Sequence, residues 1–495
     1  MLSWLDACFH PHQLIASNST RSITAAALTE RCRRLAAELV ERKVRVLVLQ
    51  LDNGIDWLMV DLACQWAAIC LVPLPAFFSA EQRRHVFAQV AVDAIICDRP
   101  GLFAELLGER LVARVKTATG ALDLLLLAAA ENPGTLPEHT GKITFTSGST
   151  GHPKGVCLSK QQIIQQARAL AEVVERVKPR HLCLLPLSTL LENVAGLYTP
   201  LLAGGEVILP GLEEVGFAGS SALDPGRFVA TLSRYRPTSM ILTPQLLLVL
   251  VEAVDRGWTP PPTLRFVAVG GAKVSIDLLL RAQRLGLPVY EGYGLSECAS
   301  VVSLNTPERH RHGSCGQPLP HVSIEIVAGE IVVSGNAMLG YVGEPQNWGR
   351  QGIASGDIGR ISADGYLFID GRKKNVLISS YGRNINPEWV ESELLGNPLL
   401  VDCLVVGDDR PYCAALLSPR NPQASDAAIQ QRVDQVNARL PDYARVQRWQ
   451  RLPRPLYCDP GLLTANGRPR RPAIMTHYAP LIESLFATPV MPESL

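Results

Sequence analysis

The sequence has no surplus of charge and no long uninterrupted apolar run. Its 47 basic and 46 acidic residues give a formal net charge of +1, so no electrostatic argument favours a nucleic acid or an anionic membrane as a partner. One apolar stretch is bracketed by Asp61 and Pro73, and another contains Glu192, which is why we predict no integral membrane segment. The first residues lack a basic segment followed by an apolar one, as a secretory signal would have. We therefore expect a cytoplasmic protein that binds no nucleic acid.

The 12 cysteines form no Cys-x-x-Cys pair. Most lie in apolar segments, such as Cys97 in Ala-Ile-Ile-Cys, so we expect reduced thiols in the core rather than a disulfide framework. The ten histidines show no metal-ligand spacing. His310 and His312 lie in a charged run that is typical of a solvated loop.

The length of 495 residues and the apolar content of 47% allow two or more domains with large cores. Helices are predicted around 55–67 and 80–90. Short apolar segments between helical stretches predict strands of parallel sheets that are covered on both faces. These predicted strands are 45–50, 69–74, 94–97, 142–145, 182–187, 206–209, 239–243 and 264–269.

The pattern changes after about residue 320. Segments separated by Gly and Asp turns predict antiparallel strands, and a smaller unit follows Asp370. We therefore predict an N-terminal domain of residues 1–370 and a C-terminal domain of residues 371–495. The elements predicted here are strands at 322–328, 330–334, 365–369, 401–406 and 412–417, a helix carrying Ile429, Val433, Val436 and Leu440, and a loop over 451–472.

The run Thr-Ser-Gly-Ser-Thr-Gly-His-Pro-Lys-Gly-Val at 146–156 is the most informative segment of the chain. Its small residues let backbone N–H groups approach an anion, its hydroxyls add donors, and Lys154 adds a flexible cation. It is not a Walker A motif, because His152 follows Gly151 where that motif has its Lys. The run predicts a loop that holds the phosphates of a nucleotide, with a Gly/Ser-rich surface turn as the alternative.

Two further runs have the residue types that a nucleotide site needs. Gly-Gly-Ala at 270–272 follows an apolar strand, where glycines let a flat ring or a chain lie close to the backbone. In Tyr-Glu-Gly-Tyr-Gly-Leu-Ser-Glu at 290–297, Tyr293 could stack on a purine and Ser296 could donate to phosphate. Glu297 could bind Mg²⁺. Taken alone, the first run could be an ordinary turn and Glu297 a solvated surface residue.

A carboxylate and a cationic run follow later in the chain. Asp357 lies between glycines in Ser-Gly-Asp-Ile-Gly at 355–359, where it could accept hydrogen bonds from both hydroxyls of a ribose. The segment 371–391 joins a cationic run to a strand, a turn and a helix start, and Pro387 suits the first helical turn. A plain turn and simple surface solvation are the alternatives.

Together, the runs at 146–156, 290–297, 355–359, 371–391 and 462–471 occur in the order and rough spacing of the adenylate-forming superfamily of acyl-CoA synthetases, peptide-synthetase adenylation domains and luciferases. The sequence resembles that superfamily over nearly its whole length, and its fatty-acyl members most. The resemblance implies an α/β fold, in which a large N-terminal domain of layered α/β subdomains and a distorted β-barrel precedes a small mobile α+β C-terminal domain. It also implies that Mg²⁺ and ATP convert a carboxylic acid to an acyl-adenylate with release of pyrophosphate. The acyl group would then pass to the thiol of CoA or of a carrier-protein phosphopantetheine.

The resemblance also implies roles for individual residues. Lys154 and the loop hydroxyls would hold the β- and γ-phosphates, and Glu297 would bind Mg²⁺. Asp357 and Arg372 would hold the ribose, and Lys374 would be the hinge of the C-terminal domain. The other ATP-binding residues implied are Thr146, Ser147, Gly148, Ser149, Thr150, Gly151, Gly271, Ala272, Tyr293, Gly294 and Ser296, where Ser296 replaces the usual Thr. The acyl pocket would include Thr189, Glu192, Gly270 and Gly271.

One position departs from the superfamily's pattern. Its C-terminal motif normally has Asn-Gly-Lys, whereas this chain has Asn-Gly-Arg, with Arg468 in the place of the catalytic lysine. That lysine bridges the substrate carboxylate and the α-phosphate, and a planar guanidinium is not a point ammonium. Three interpretations stay open: Arg468 replaces the lysine, Arg470 or Arg471 does so after a small shift, or adenylation is weak.

The residues near the expected acyl pocket favour an uncharged acyl chain as substrate. Neither Leu187-Ser-Thr nor Val269-Gly-Gly-Ala offers an acidic residue for the ammonium of an amino acid. A fatty acid is therefore the first hypothesis. The alternatives are a biosynthetic enzyme that loads a carrier protein or activates a β-hydroxy or aryl acid, and a non-catalytic protein that only binds nucleotide.

Overall fold

The computed structural model of the protein describes residues 3–120, 122–130, 134–146, 153–174, 179–218, 222–459, 461–463 and 469–487. Its strands are β1 (Leu14–Ser17), β2 (Ser22–Thr24), β3 (Val46–Gln50), β4 (Cys70–Pro73), β5 (Ala94–Cys97), β6 (Leu111–Lys116), β7 (Asp123–Leu127), β8 (Thr140–Thr146), β9 (Lys154–Ser159), β10 (Arg180–Leu182), β11 (Glu206–Ile208), β12 (Phe217–Ala218), β13 (Ala222–Leu223), β14 (Ser239–Leu242), β15 (Phe266–Val269), β16 (Val289–Leu295), β17 (Ser300–Leu304), β18 (Gln317–Pro318), β19 (Ser323–Val327), β20 (Glu330–Ser334), β21 (Gly340–Tyr341), β22 (Gly352–Ile361), β23 (Leu367–Arg372), β24 (Leu377–Ile378), β25 (Asn384–Ile385), β26 (Leu400–Val406), β27 (Cys413–Pro419) and β28 (Val446–Arg451). Its helices are α1 (Ser3–Cys8), α2 (Ala25–Glu41), α3 (Ile55–Ala67), α4 (Ala80–Gln89), α5 (Pro100–Leu107), α6 (Lys160–Val174), α7 (Thr199–Leu202), α8 (Leu212–Val215), α9 (Pro225–Tyr235), α10 (Pro244–Asp255), α11 (Ile276–Arg284), α12 (Pro387–Leu395), α13 (Asp426–Asn437), α14 (Arg471–His477) and α15 (Ala479–Phe486).

Two large mixed sheets build the N-terminal part. The first has the order β18-β17-β16-β15-β14-β10-β11-β1-β2 and is parallel from β16 to β1. The second has the order β21-β9-β8-β4-β3-β5-β7-β6, with β8, β4, β3 and β5 parallel. Central strands such as β3, β4 and β5 are buried at every residue, as expected for parallel strands that are covered on both faces.

Most of the later strands are antiparallel, as the sequence predicts, but β27 and β28 are parallel. Strands β19, β20, β22 and β23 form a four-stranded antiparallel sheet. The C-terminal domain contains the three-stranded sheet β26-β27-β28, and the side chains of α12 and α13 pack with it into a separate apolar core. Helix α12 has Pro387 in its first turn, and the side chain of Asn386 caps it by accepting from the N–H of Glu388.

The segment 182–187 differs from its prediction. Strand β10 ends at Leu182, although Leu184, Leu185 and Leu187 are buried. Apolar residues at these positions pack into the interior without pairing in a ladder, and an apolar run alone does not distinguish the two arrangements. The segment 451–472 is only partly irregular, because β28 ends at Arg451 and α14 begins at Arg471.

The two domains touch through charged and polar side chains. Ser275, beside α11, donates to a carboxylate oxygen of Glu393 on α12 at 3.2 Å. Arg439, which follows α13, forms an ion pair with Asp277 on α11 and lies 3.8 Å from Glu393. A small polar cluster therefore joins α11 to the C-terminal domain.

The state of the cysteines and the length of the apolar helices both bear on expectations from composition. All 12 cysteines are free, and ten of them are buried, as predicted for reduced core thiols. Among the described residues, no helix is long and apolar enough to cross a membrane.

A buried ion pair connects β8 to α3. The Nζ atom of Lys142 lies 2.9 Å from Oδ1 of Asp61, and the two side chains are 1% and 0% exposed. Asn193 donates to Asp61 at 2.9 Å and accepts from Lys142. The rings of Trp57 and Tyr198 lie 6.0 and 5.3 Å from the ammonium group. Each charge is thus compensated inside the core, where an unpaired charge would be costly.

We expect Lys142→Met to destabilise the protein by about 3–5 kcal/mol, because it leaves the Asp61 carboxylate buried without its partner. Urea unfolding at pH 7 measures this loss. Lys116→Met is the matched control, since the Lys116 side chain is 60% exposed, and it should cost less than about 1 kcal/mol. The double variant Lys142→Met, Asp61→Leu should be more stable than Lys142→Met alone. The opposite order would contradict the buried charge pair.

A second buried carboxylate lies on β16. Glu291 is 6% exposed, and burial raises its pKa to about 7, partly offset by the nearby charge of Lys273. The Cys315 thiol donates to its Oε1 at 3.7 Å. A carboxyl group whose pKa is raised by folding stabilises the folded state below its unfolded pKa, and this contribution disappears as the pH rises through the folded pKa.

Glu291→Gln should therefore change how stability depends on pH. From about pH 4.5 to above pH 7, the wild type should lose up to about 3 kcal/mol relative to the variant. Urea unfolding of both proteins at pH 5, 6, 7 and 8 tests this, with Glu325→Gln on an exposed face of β19 as the control. A difference between wild type and Glu291→Gln that is independent of pH would contradict it.

Candidate functional site

Two paired strands flank the segment of the predicted phosphate loop. Strands β8 and β9 are antiparallel, and Thr146 pairs directly with Lys154. The hydroxyl of Thr146 donates to the carbonyl oxygen of Lys154 at 3.5 Å. The predicted residues Ser147, Gly148, Ser149, Thr150 and Gly151 lie outside the described residues, so their phosphate contacts stay predictions.

The predicted cation and the predicted metal ligand are connected through Tyr341. Strand β21 pairs with β9, which places the ring of Tyr341 4.9 Å from the Nζ atom of Lys154. The Tyr341 hydroxyl donates to Oε1 of Glu297 at 2.8 Å. Burial and the Glu297 charge raise the pKa of Tyr341 above its usual value, so its hydroxyl stays protonated and remains a donor.

Lys154 also has an anionic partner, Glu344, whose Oε1 lies 3.0 Å from Nζ. Both side chains are partly exposed, so the pair is accessible to a competing anion. Sequence reasoning missed Tyr341 and Glu344. A signal is present, because a Gly-Tyr pair and an acidic residue occur close together at 340–344, but nothing local indicates that they face Lys154.

Among the residues predicted to hold the nucleoside, Tyr293 and Arg372 both contact Asp357. The hydroxyl of Tyr293 donates to Oδ2 at 2.6 Å, and Nε of Arg372 lies 2.9 Å from Oδ1. Asp357 and Arg372 are direct partners on β22 and β23, and Asp357 is only 5% exposed. Burial, followed by the Asp357 charge, raises the pKa of Tyr293. The three residues predicted for the nucleoside therefore form one cluster.

The two glycine runs lie side by side. In the parallel pair β15 and β16, Val269 is opposite Glu291, so the turn at 270–272 lies beside Gly292. A Cβ atom at Gly270 would come within 3.0 Å of the carbonyl oxygen of Gly292. Gly271 has φ +83°, in the left-handed region that favours glycine. The absence of side chains at these glycines would let a planar ring lie close to the backbone.

The remaining predicted residues of this region differ in exposure, because Ser296, Glu297 and Thr189 are half-buried whereas Glu192 is buried. Ser296 and Glu297 lie in a 3₁₀ turn between β16 and β17, next to Gly294. The hydroxyl of Thr189 donates to the carbonyl oxygen of Pro186 at 2.6 Å. The side chain of Glu192 is completely buried and faces His181. The acyl-pocket roles of Thr189 and Glu192 stay predictions.

The C-terminal motif lies partly outside the described residues, Arg468 among them. Lys374, the predicted hinge, lies in a 3₁₀ turn directly after β23. Arg471 forms an ion pair with Glu391 and donates to the carbonyl oxygen of Val405 at 2.6 Å. Arg471 is therefore engaged within the C-terminal domain, and the role of Arg468 stays a prediction, as do the alternatives of Arg470 and of weak adenylation.

The chain matches known protein families along most of its length. The model of the AMP-binding enzyme family matches residues 7–342, and the model of the AMP-binding enzyme C-terminal domain matches residues 374–489. A feruloyl-CoA synthase of Amycolatopsis sp is 30% identical over 429 residues, which cover 81% of this chain and 84% of that protein. A long-chain-fatty-acid–CoA ligase of Mycobacterium bovis is 23% identical, with coverage of 96% and 94%.

A solved structure supports the fold. The crystal structure of the anthranilate CoA ligase AuaEII in complex with anthranoyl-AMP superimposes with a TM-score of 0.78, at 18% identity and with 98% of each chain covered. The family model spans more than half of the chain, and the relatives above are CoA ligases and synthetases. The chain therefore belongs to the AMP-binding enzyme family and is an AMP-forming acid–thiol ligase of the acyl-CoA synthetase type.

Proposed function

We propose that this protein activates a fatty acid with ATP to a fatty acyl-adenylate, releases pyrophosphate, and transfers the acyl group to CoA. The observation that best supports the proposal is the connection of Lys154 to Glu297 through Tyr341, next to the segment 147–152 that β8 and β9 flank. The Tyr341 side chain thus links the cation that would hold phosphate to the carboxylate that would bind a metal ion.

The phosphate side would work by exchange of anions. Lys154 is paired with Glu344, and the β- and γ-phosphates would replace that carboxylate as its partner. Glu297 suits Mg²⁺, because its Oε1 accepts from Tyr341 and no hydrogen bond to its Oε2 is found among the described residues. Mg²⁺ would neutralise phosphate charge and bind through a carboxylate together with substrate oxygens.

The cluster of Tyr293, Asp357 and Arg372 would hold the nucleoside and thereby fix the position of the α-phosphate. Arg372 pairs with the Asp357 carboxylate and orients it, so that it can accept from the ribose hydroxyls. The ring of Tyr293 would lie beside the purine, because its hydroxyl is held by the same carboxylate. Fixing both ends of ATP supplies much of the catalytic effect, since a positioned phosphorus converts attack by the acid into an effectively unimolecular step.

In the chemical step, a carboxylate oxygen of the acid would attack the α-phosphorus and pyrophosphate would leave. Arg468 would neutralise the charge that develops between the carboxylate and the α-phosphate. A CoA thiolate would then attack the acyl carbon, and AMP would leave with the bonding electrons. The C-terminal domain would turn about Lys374 between these two steps.

An aryl acid is the second candidate substrate, because the relative at 30% identity is a feruloyl-CoA synthase. The chain offers no acidic residue at Leu187-Ser-Thr or Val269-Gly-Gly-Ala for an ammonium group. That lack favours acids without an amino group and does not separate fatty from aryl acids. A substrate screen separates them.

Pyrophosphate exchange with C6–C18 fatty acids, aryl acids and amino acids should respond most strongly to fatty acids. Arg468→Ala should lower the exchange rate about 10²–10³-fold, since it removes one charged donor to the transition state, whereas Arg468→Lys should retain most of it. A response to aryl or amino acids alone would overturn the substrate assignment. Parallel reactions with CoA and with a holo-carrier protein identify the acceptor, and acylation of the carrier alone would overturn CoA.

Tyr341→Phe should raise the Mg²⁺ concentration needed for half-maximal adenylation and lower the rate about tenfold or more. It removes a hydrogen bond to a charged group, which is worth about 1.5–3 kcal/mol, but it retains the ring beneath Lys154. Initial rates at a series of Mg²⁺ concentrations measure both effects, with Tyr443→Phe on the exposed surface of the C-terminal domain as the control. Unchanged Mg²⁺ dependence would show that Tyr341 does not orient Glu297.

A further inference from the structure

Three metal-binding side chains meet in the interior beside β10. His181 lies on β10, Cys183 follows the end of that strand, and Glu192 begins the π-helical segment Glu192–Tyr198. Their ligand atoms all lie within 4.8 Å of one another, and all three residues are buried. None of them has a part in the ATP site described above.

The polar atoms of this cluster lack the partners that a buried site requires. Glu192 is 0% exposed, and its carboxylate faces the His181 ring, the Cys183 thiol and the backbone N–H of Leu185, but no well-aligned hydrogen bond to either oxygen is found among the described residues. The same holds for Nε2 of His181, which lies 3.4 Å from Oε1 of Glu192. Buried carboxylates of native proteins are paired or coordinate metals, because isolation inside the protein is costly. The cluster therefore needs a cation or a shared proton.

His181 is oriented as metal-bound histidines are. Its Nδ1 lies 3.0 Å from the hydroxyl oxygen of Ser239 on β14. Such an outer contact fixes the ring and the tautomer, so that Nε2 presents its lone pair to a metal ion. Nε2 is the atom that faces Glu192.

Gly196 leaves room at the centre of the cluster. A Cβ atom at this position would collide with Oε1 of Glu192 and would lie 3.0 Å from Nε2 of His181. The Cys183 thiol donates to the carbonyl oxygen of Gly196 at 3.3 Å, and loss of the thiol proton on metal binding would free this oxygen to serve as a ligand. The backbone thus adds a fourth donor atom to the three side chains.

We propose that His181, Cys183 and Glu192 bind a structural Zn²⁺ ion, with the carbonyl oxygen of Gly196 as the fourth ligand. Imidazole nitrogen, thiolate and carboxylate oxygen are the ligand types that zinc takes in proteins, at about 2.0–2.3 Å. A thiolate, a carboxylate and a neutral imidazole together carry two negative charges, so the ion makes the buried cluster neutral. Binding releases the thiol proton of Cys183, and also the proton of Glu192 where that carboxyl is protonated.

The ion would fasten the π-helical segment to the first sheet. Asn193 follows Glu192 and contacts both Lys142 and Asp61. A metal bond at Glu192 would therefore also hold the amide that bridges the buried ion pair. The site would act on the position of this segment and not on the chemistry of ATP.

The test measures zinc in the full-length protein, purified without a histidine tag from zinc-supplemented cells. Elemental analysis after dialysis should find stoichiometric zinc in the wild type and none above background in Cys183→Ser. Ser239→Ala, which removes only the outer contact of His181, should weaken zinc affinity about 10–100-fold. Cys315→Ser is the matched control, because Cys315 is also buried beside a carboxylate, that of Glu291. Among the described residues, Cys315 belongs to no cluster of three metal-ligand side chains. The Cys315→Ser protein should therefore keep its zinc.

Two readouts on the wild type do not depend on whether Cys183→Ser folds. Cobalt-substituted protein should show thiolate-to-cobalt charge-transfer absorption, and anomalous scattering at the zinc edge should place the ion between His181 and Glu192. A wild type without zinc, or with zinc elsewhere, overturns the proposal. It would leave a proton shared between Glu192 and His181 as the means by which this cluster is neutralised.

Discussion

Strand β9 is paired along both edges, and the phosphate side of the site depends on that pairing. On one edge it aligns Lys154 with Thr146 of β8, and on the other it aligns Val156 with Tyr341 of β21. A slip of one residue would turn the buried Val156, Cys157 and Leu158 to the opposite face. Because Val156 and Leu158 fill one apolar core and Cys157 fills another, a slip would exchange the side chains of two packed cores, so the position of Lys154 above the ring of Tyr341 follows from the packing of its neighbours.

The nucleoside side depends on a meeting of two different sheets. Tyr293 belongs to β16 of the first large sheet, whereas Asp357 and Arg372 belong to the four-stranded antiparallel sheet. The hydrogen bond from Tyr293 to Asp357 connects the two sheets at the site. Each sheet provides rigid positions for its own residues, so the packing between sheets determines how well the cluster fits a ribose. This is why residues from several separate motifs form one site.

The sequence predicts those parts of the site that lie in local motifs. Glycines, hydroxyls and a lysine in one run predict a phosphate loop, and the order of the motifs predicts the superfamily, which the family models confirm. Tyr341 and Glu344 could not be found in this way. Their importance comes from the pairing of β21 with β9, which is a contact between distant segments and leaves no periodicity in either of them.

Contacts between distant segments also explain two other features that the sequence analysis did not predict. The spacing of His181, Cys183 and Glu192 matches no zinc motif, because a non-paired segment and a π-helical segment bring Glu192 back to β10. The segment 182–187 has the composition of a strand, but its leucines fill the interior without a ladder. In both segments the apolar composition indicates that the residues are buried, but it does not indicate the path of the backbone, which depends on packing.

The polar contacts between the domains bear on how the catalytic cycle would proceed. Arg439 and Asp277 are each about two-fifths exposed, and ion pairs of this kind contribute about 0–1 kcal/mol. Ser275 donates one hydrogen bond to the Glu393 carboxylate, and a bond of this kind contributes about 1.5–3 kcal/mol. A ligand that binds the two arrangements of the C-terminal domain with affinities differing by a few kcal/mol is enough to shift such a balance. Weak polar contacts at α11 are therefore what an enzyme needs if its C-terminal domain is to bring Arg468 to ATP and then withdraw it for the thiol.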